Sequence, residues 1–142
     1  MIKEVNSLEE TIEYGKEIGR NSNKGDIYCL IGDLGTGKTM MSKGIAMGLG
    51  LSEDEITSPT FTIVNTYDKL EKTLYHFDVY RITDISEMDD IGYEDMFYGD
   101  GVCIVEWANL IEELIPSNAI WIKIEKDLEK GLDYRKITID KK

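Results

Sequence analysis

The stretch "DIYCLIGDLGTGKTMMSKGIAMGLGL", Asp26 to Leu51, decides the fold. It opens with an unbroken apolar run, Ile27 to Ile31, of the kind that lies buried on both faces in the middle of a parallel sheet. The run stops at Gly32. Gly32 to Thr39 then satisfies the pattern G-x-x-x-x-G-K-[ST], and helical spacing resumes through Met40, Ile45 and Leu49. Strand, glycine loop and helix in that order are the context a phosphate-cradling loop requires, and a chance glycine-rich turn would lack both flanks.

The chemistry of that loop follows from its residue types. Glycines at 32, 35 and 37 permit positive φ and let backbone N–H groups crowd an anion, while a helix starting near Lys38 offers unpaired N–H donors and the positive end of its dipole. Lys38 has the reach for β and γ phosphates. The Thr39 hydroxyl suits Mg²⁺, which keeps several waters and takes few protein ligands.

Working outward, "NSLEETIEYGKEIGR" predicts a first helix, with Ser7 as N-cap, Glu10 closing a capping box, and Leu8, Ile12, Gly15 and Ile18 as its apolar stripe. "FTIVNTY" and "TLYHFDVY" predict a hairpin around "DKLEK", "DISEMDDIGYEDMF" a further helical stretch, and "GVCIVEW" a second buried strand. "AIWIKIEK" and "YRKITID" alternate as half-buried strands. The expectation is one α/β domain over residues 1–142, with a mixed sheet, parallel at its centre and antiparallel toward one edge, flanked by helices.

Composition bounds the function. The longest apolar runs are strand-sized and the polar start is no secretory signal, so no membrane segment and a cytoplasmic location are expected. Cys29 and Cys103 sit in apolar runs and read as buried, reduced thiols. Acidic residues outnumber basic ones by 28 to 16, a formal net charge of −12. That surface repels a nucleic-acid backbone, so an RNA would be reached through a partner; the same acidity equally serves solubility.

Two acids close apolar strands. Glu106 in "VCIVEW" is placed to hold a metal directly or through water, or to orient attacking water. Asp78 in "YHFDVYR" is placed to polarise water or support the metal shell, against the reading of a turn or capping Asp. His76, the only histidine, reads as a hydrogen-bonded structural residue. "TSPTFT", residues 57–62, is either a turn leading into a strand or a nucleotide-sensing loop presenting Thr57, Thr60 and Thr62.

"GDLGTGKT", "SPTFTIVNTY", "YHFDVYR" and "CIVEWA", in that order and spacing, resemble the TsaE family of bacterial ATPases over residues 7–116. The resemblance implies an ATP- and Mg²⁺-dependent ATPase needed for threonylcarbamoyladenosine in tRNA, acting with the TsaB and TsaD transferase proteins and meeting tRNA only indirectly. It implies a phosphate loop of Gly32, Asp33, Leu34, Gly35, Thr36, Gly37, Lys38 and Thr39, magnesium ligands Thr39 and Glu106, and a second acid, Asp78. Lys38, Asp78 and Glu106 are then the catalytic set. Ser7, Thr11 and Thr60 join the nucleotide-binding residues, and Trp107 serves packing or partner contact. The tail after Pro116 matches the family only loosely; the resemblance implies a nucleotide contact from this stretch but assigns it to none of Lys130, Gly131 and Arg135.

Two other classes compete. A small-molecule kinase usually carries several lid arginines, and this chain has Arg20, Arg81 and Arg135 alone. A GTP-binding switch would use D-x-x-G, which Asp89 to Gly92 matches, but within a helical pattern and without an N-K-x-D motif. Among the arginines, Arg81 is the one close to a site acid; it either bends back toward the phosphates or, more in keeping with its turn position, pairs with a local carboxylate.

Overall fold

The computed structural model describes residues 1–33 and 35–141. In chain order the elements are β1 (Ile2–Val5), α1 (Leu8–Arg20), β2 (Ile27–Ile31), α2 (Lys38–Gly48), β3 (Val64–Tyr67), β4 (Leu74–Asp78), α3 (Glu87–Asp90), α4 (Tyr93–Phe97), β5 (Val102–Glu106), β6 (Ile120–Glu125) and β7 (Arg135–Lys141). The strands form one sheet in the order β1-β7-β6-β2-β5-β4-β3. β2 pairs in parallel with β5 and β6, and β4 in parallel with β5. The antiparallel pairs lie at both margins, β6–β7–β1 on one side and β3–β4 on the other. The single α/β unit with a parallel centre and antiparallel edge is therefore as expected.

Burial on both faces explains the unbroken apolar run of β2. Tyr28 and Leu30 join a core with Met41, Ile45 and Ile122 on one face, while Ile27 and Cys29 join Phe77, Met88, Phe97 and Val105 on the other. Cys29 and Cys103 are free and buried, and burial pushes both thiols up to about 12. No helix among the described residues is long and apolar enough to cross a membrane.

The N-cap of α1 is as read, with Ser7 Oγ accepting from Glu10 N–H at 3.1 Å, but the box does not close on the cap: Glu10 Oε2 accepts from Asn6 N–H at 2.8 Å, one residue earlier. Its stripe differs too. The buried positions are Thr11, Gly15 and Gly19, whereas Leu8 is 41% exposed. The reason is close packing on α2. A Cβ built on Gly19 would lie 2.3 Å from Ile45 O, and one on Gly44 would lie 2.4 Å from Ile12 O. Small residues, not large apolar ones, form this seam.

Three further local differences have simple causes. β1 escapes a reading by alternation because three of its four residues are exposed and its partner, β7, lies at the far end of the chain. The hairpin's first strand starts at Val64 and not Phe61, because Ile63 adopts φ 68° and donates its N–H to Pro59 O at 2.8 Å. Gly92, at φ 73°, splits the anticipated helical stretch into α3 and α4.

Candidate functional site

Because β2, β4 and β5 run parallel, their C-terminal ends meet at one edge of the sheet. The glycine loop leaves β2 there, and Asp78 and Glu106 are the register partners that end β4 and β5. The cleft above them has a volume of about 420 Å³. Gly35, Gly37, Lys38, Thr39, Thr60, Asp78 and Glu106 line it, together with Leu8, Met40, Tyr80, Trp107 and Arg135. Crevices beyond the carboxyl ends of parallel strands are where open α/β sheets take ligands.

Lys38 is 5% exposed and held in the loop it serves. Its Nζ donates to Gly32 O at 2.5 Å and Asp33 O at 2.9 Å, and lies 4.0 Å from the centre of the Trp107 ring. Burial pushes the Lys38 ammonium down from its ordinary value, while the negative charges of Glu106, Asp33 and Asp78 oppose the shift. Trp107 itself turns out of β5 with φ 64°, and its ring lies against that of Tyr80, centres 4.6 Å apart and tilted by 39°.

Glu106 is 5% exposed and splits its two oxygens between partners. Oε1 accepts from Thr39 Oγ1 at 3.4 Å, and Oε2 meets His76 Nε2 at 2.5 Å. With Glu106 ionised, Nε2 carries the proton and the partnerless Nδ1 is a bare lone pair, the tautomer that buries no orphan N–H. His76 is thus hydrogen-bonded, as read, but to the site's own acid. Two oxygen ligands at right angles on Mg²⁺, each at about 2.1 Å, sit about 3.0 Å apart. The Thr39–Glu106 pair, at 3.4 Å, is close to that spacing. Among the described residues no cluster of three or more His, Cys, Asp or Glu suits a metal.

Asp78 is half-buried. Desolvation raises its carboxyl above the ordinary value, with the Glu106 charge adding to the rise, while the Tyr80 N–H and the Thr60 hydroxyl favour ionisation. Tyr80 N–H reaches Asp78 Oδ1 at 3.1 Å. That is the turn-type bond weighed from sequence, yet the side chain also lines the cleft.

Several anticipated residues lie elsewhere. Ser7 is occupied as a helix cap and Thr11 is 1% exposed beneath it; neither lines the cleft, and Leu8 does so in their place. Gly32, Asp33 and Thr36 face a hollow on the other side of the loop, beside Lys123 and Lys126. Leu34 is outside the described residues. Of the three threonines in "TSPTFT", only Thr60 lines the cleft; Thr57 bonds Asn65 and Tyr67, and Thr62 bonds Asn65. Arg81 is exposed with its guanidinium 4.8 Å from the Phe61 ring centre, and among the described residues it has no carboxylate partner and no place in the cleft. The arginine that does reach the cleft is Arg135, marked in the sequence only by its position at the start of an alternating strand.

This arrangement puts the chain among α/β proteins with a glycine-rich loop between a central parallel strand and a helix. Within that class it belongs to the TsaE family, since the model for threonylcarbamoyl adenosine biosynthesis protein TsaE matches residues 5–137. The tRNA threonylcarbamoyladenosine biosynthesis protein TsaE of Bacillus subtilis (strain 168) is 46% identical over 130 residues, 92% of this chain and 78% of the relative. Its counterpart in Treponema pallidum (strain Nichols) is 41% identical over 118 residues, 83% and 86% of the two chains. The crystal structure of Bacillus subtilis YdiB superposes with a TM-score of 0.79 at 40% identity, covering 98% of this chain and 83% of that one.

Proposed function

We propose that the chain binds ATP with Mg²⁺, hydrolyses it, and thereby serves threonylcarbamoyladenosine formation in tRNA through TsaB and TsaD. The observation that carries this reading is the convergence of Lys38, Thr39, Asp78 and Glu106 on one cleft at the strand ends. In it the loop amides and the Lys38 ammonium hold the β and γ phosphates. Thr39 and Glu106 hold the cation, which when bound neutralises charge on the transferred phosphoryl group. His76 keeps one Glu106 oxygen occupied, so the other stays turned to Thr39. Asp78, with its raised proton affinity and open side, accepts a hydrogen bond from the attacking water. The acidic surface suits docking on a basic protein partner better than on tRNA itself.

Thermal melting with ATP–Mg²⁺ against GTP–Mg²⁺ tests the binding step. At a hundredfold excess over Kd, bound nucleotide adds about 2.7 kcal/mol, or about 5 to 10 °C in Tm. Equal shifts with GTP would remove the ATP assignment. Turnover with and without the TsaB and TsaD proteins tests the rest: Asp78→Asn is expected to keep ATP binding and lose turnover, and an unchanged rate would return Asp78 to its turn role.

A further inference from the structure

Arg135 is 7% exposed, and every acceptor it meets among the described residues is a neutral carbonyl. Its Nε donates to Thr36 O at 2.6 Å, and its Nη1 donates to Tyr134 O at 2.7 Å and Leu132 O at 2.9 Å. The ion pairs among the described residues do not include it, although the chain carries 28 acids. A buried guanidinium without a counter-ion is costly, and charges that stay buried are normally paired. The side chain borders the cleft, so a bound anion there would supply the missing charge.

The Nε contact has a second consequence. Thr36 O belongs to the peptide whose N–H is that of Gly37, and no peptide bond among the described residues is cis. Carbonyl and amide therefore point in opposite directions, and anchoring Thr36 O on Arg135 turns the Gly37 N–H away from the guanidinium. Gly37 sits at φ 106°, and its N–H has no backbone partner among the described residues. A charge-assisted bond to the carbonyl also polarises the peptide and strengthens that N–H as a donor. The brace reaches across 99 positions of sequence to hold the loop in place.

We propose that Arg135 is a positioning residue of the anion cradle: it presets the Thr36–Gly37 peptide with its N–H free for a phosphate oxygen, and the phosphate completes its charge. The proposal rests on the reading of the cleft as a triphosphate site. The alternative is a brace that only ties β7 to the loop.

Nucleotide affinity, kinetics and amide resonances of Arg135→Met and Arg135→Lys separate the two. Arg135→Met is expected to raise Kd for ATP and for inorganic triphosphate about tenfold, with the larger part of the loss in kcat/KM falling on KM. The Gly37 amide proton is expected to move upfield in the free variant while those of Gly25 and Gly92 stay put. Arg135→Lys, which keeps the charge but not the planar fork, is expected to recover part of the affinity. In the free wild type, the Arg135 Nε–H resonance is expected to be protected from exchange, a readout that needs no variant to fold. An unmoved Gly37 amide with unchanged Kd overturns the proposal, as does an Nε–H that exchanges at the solvent rate. Wild-type protein that binds inorganic triphosphate in an Arg135-dependent way but not ATP keeps the cradle and overturns the nucleotide reading alone.

Discussion

Glycine serves α2 in two unlike ways, at its N-terminus and along its flank. At the N-terminus Gly35 and Gly37 have φ of 79° and 106°, and a Cβ there would meet its nearest neighbours at 3.4 Å and 3.7 Å, which is ordinary contact. Space is available; the backbone conformation is what excludes other residues. Along the flank Gly15, Gly19, Gly44 and Gly48 are helical, and a Cβ would lie 2.3 to 2.9 Å from the facing backbone. There the conformation suits any residue, and the partner helix is what excludes it. One set shapes a binding loop, and the other sets how closely α1 approaches the helix that carries that loop.

Substituting one glycine from each set separates these requirements. Gly19→Ala is expected to produce the largest loss of stability, about 3 kcal/mol, the upper end for overpacking because backbone faces backbone. Tm is expected to fall by about 10 °C in a thermal scan. Gly37→Ala is expected to cost less, about 1 to 2 kcal/mol for a left-handed alanine, but to weaken nucleotide binding more than Gly19→Ala does. If Gly37→Ala lowers Tm further than Gly19→Ala, the seam is the softer region and the comparison is reversed.

The two sets also differ in how they show in the sequence. Gly32, Gly35 and Gly37 are legible because the cradle is local: eight consecutive residues make it, between flanks of recognisable period. Glu106 and Asp78 are legible because each ends an apolar strand. The seam is not, since Gly15 means nothing until Gly44 faces it, and the apolar stripe assigned to α1 put weight on Leu8 instead. The same limit hid Arg135, whose partner Thr36 lies far along the chain, and misdirected attention to Arg81, which is near Asp78 in sequence but lies over Phe61. It also placed Ser7 and Thr11 at a cleft that Leu8 borders.

The buried thiols give a smaller, independent measure of the seam. With thiols pushed up to about 12, Cys29 and Cys103 hold a thiolate fraction of about 10⁻⁴ at pH 8, and neither is exposed. A disulfide reagent is expected to react with native protein only as fast as the chain opens. Gly19→Ala should speed that reaction by about the factor by which it raises the unfolded population, over a hundredfold for 3 kcal/mol. Equal rates in the two proteins would mean that the thiols react through a local opening in which α1 and α2 stay packed.

The least of the expected effects belongs to the cleft and has a defined pH dependence. Desolvation raises the Asp78 carboxyl above 3.8, so the folded chain holds this proton to higher pH than the unfolded chain does. Stability therefore falls as pH rises from the unfolded value through the folded one, and at neutral pH the ionised carboxylate destabilises the fold. Asp78→Asn removes that charge and retains an oxygen for the Tyr80 N–H. Half-exposed, the group is partly screened by water, so the gain in Tm near pH 7 is expected to be small, about 1 to 2 °C. The gain should shrink on acidification through the carboxylate range and vanish once Asp78 is protonated in both states. The seam mutants should not share this profile, because the atoms nearest a Cβ at Gly15, Gly19, Gly44 and Gly48 are all backbone. If the Asp78→Asn gain persists undiminished at pH 3, it comes from the amide's own hydrogen bonds and not from the buried charge.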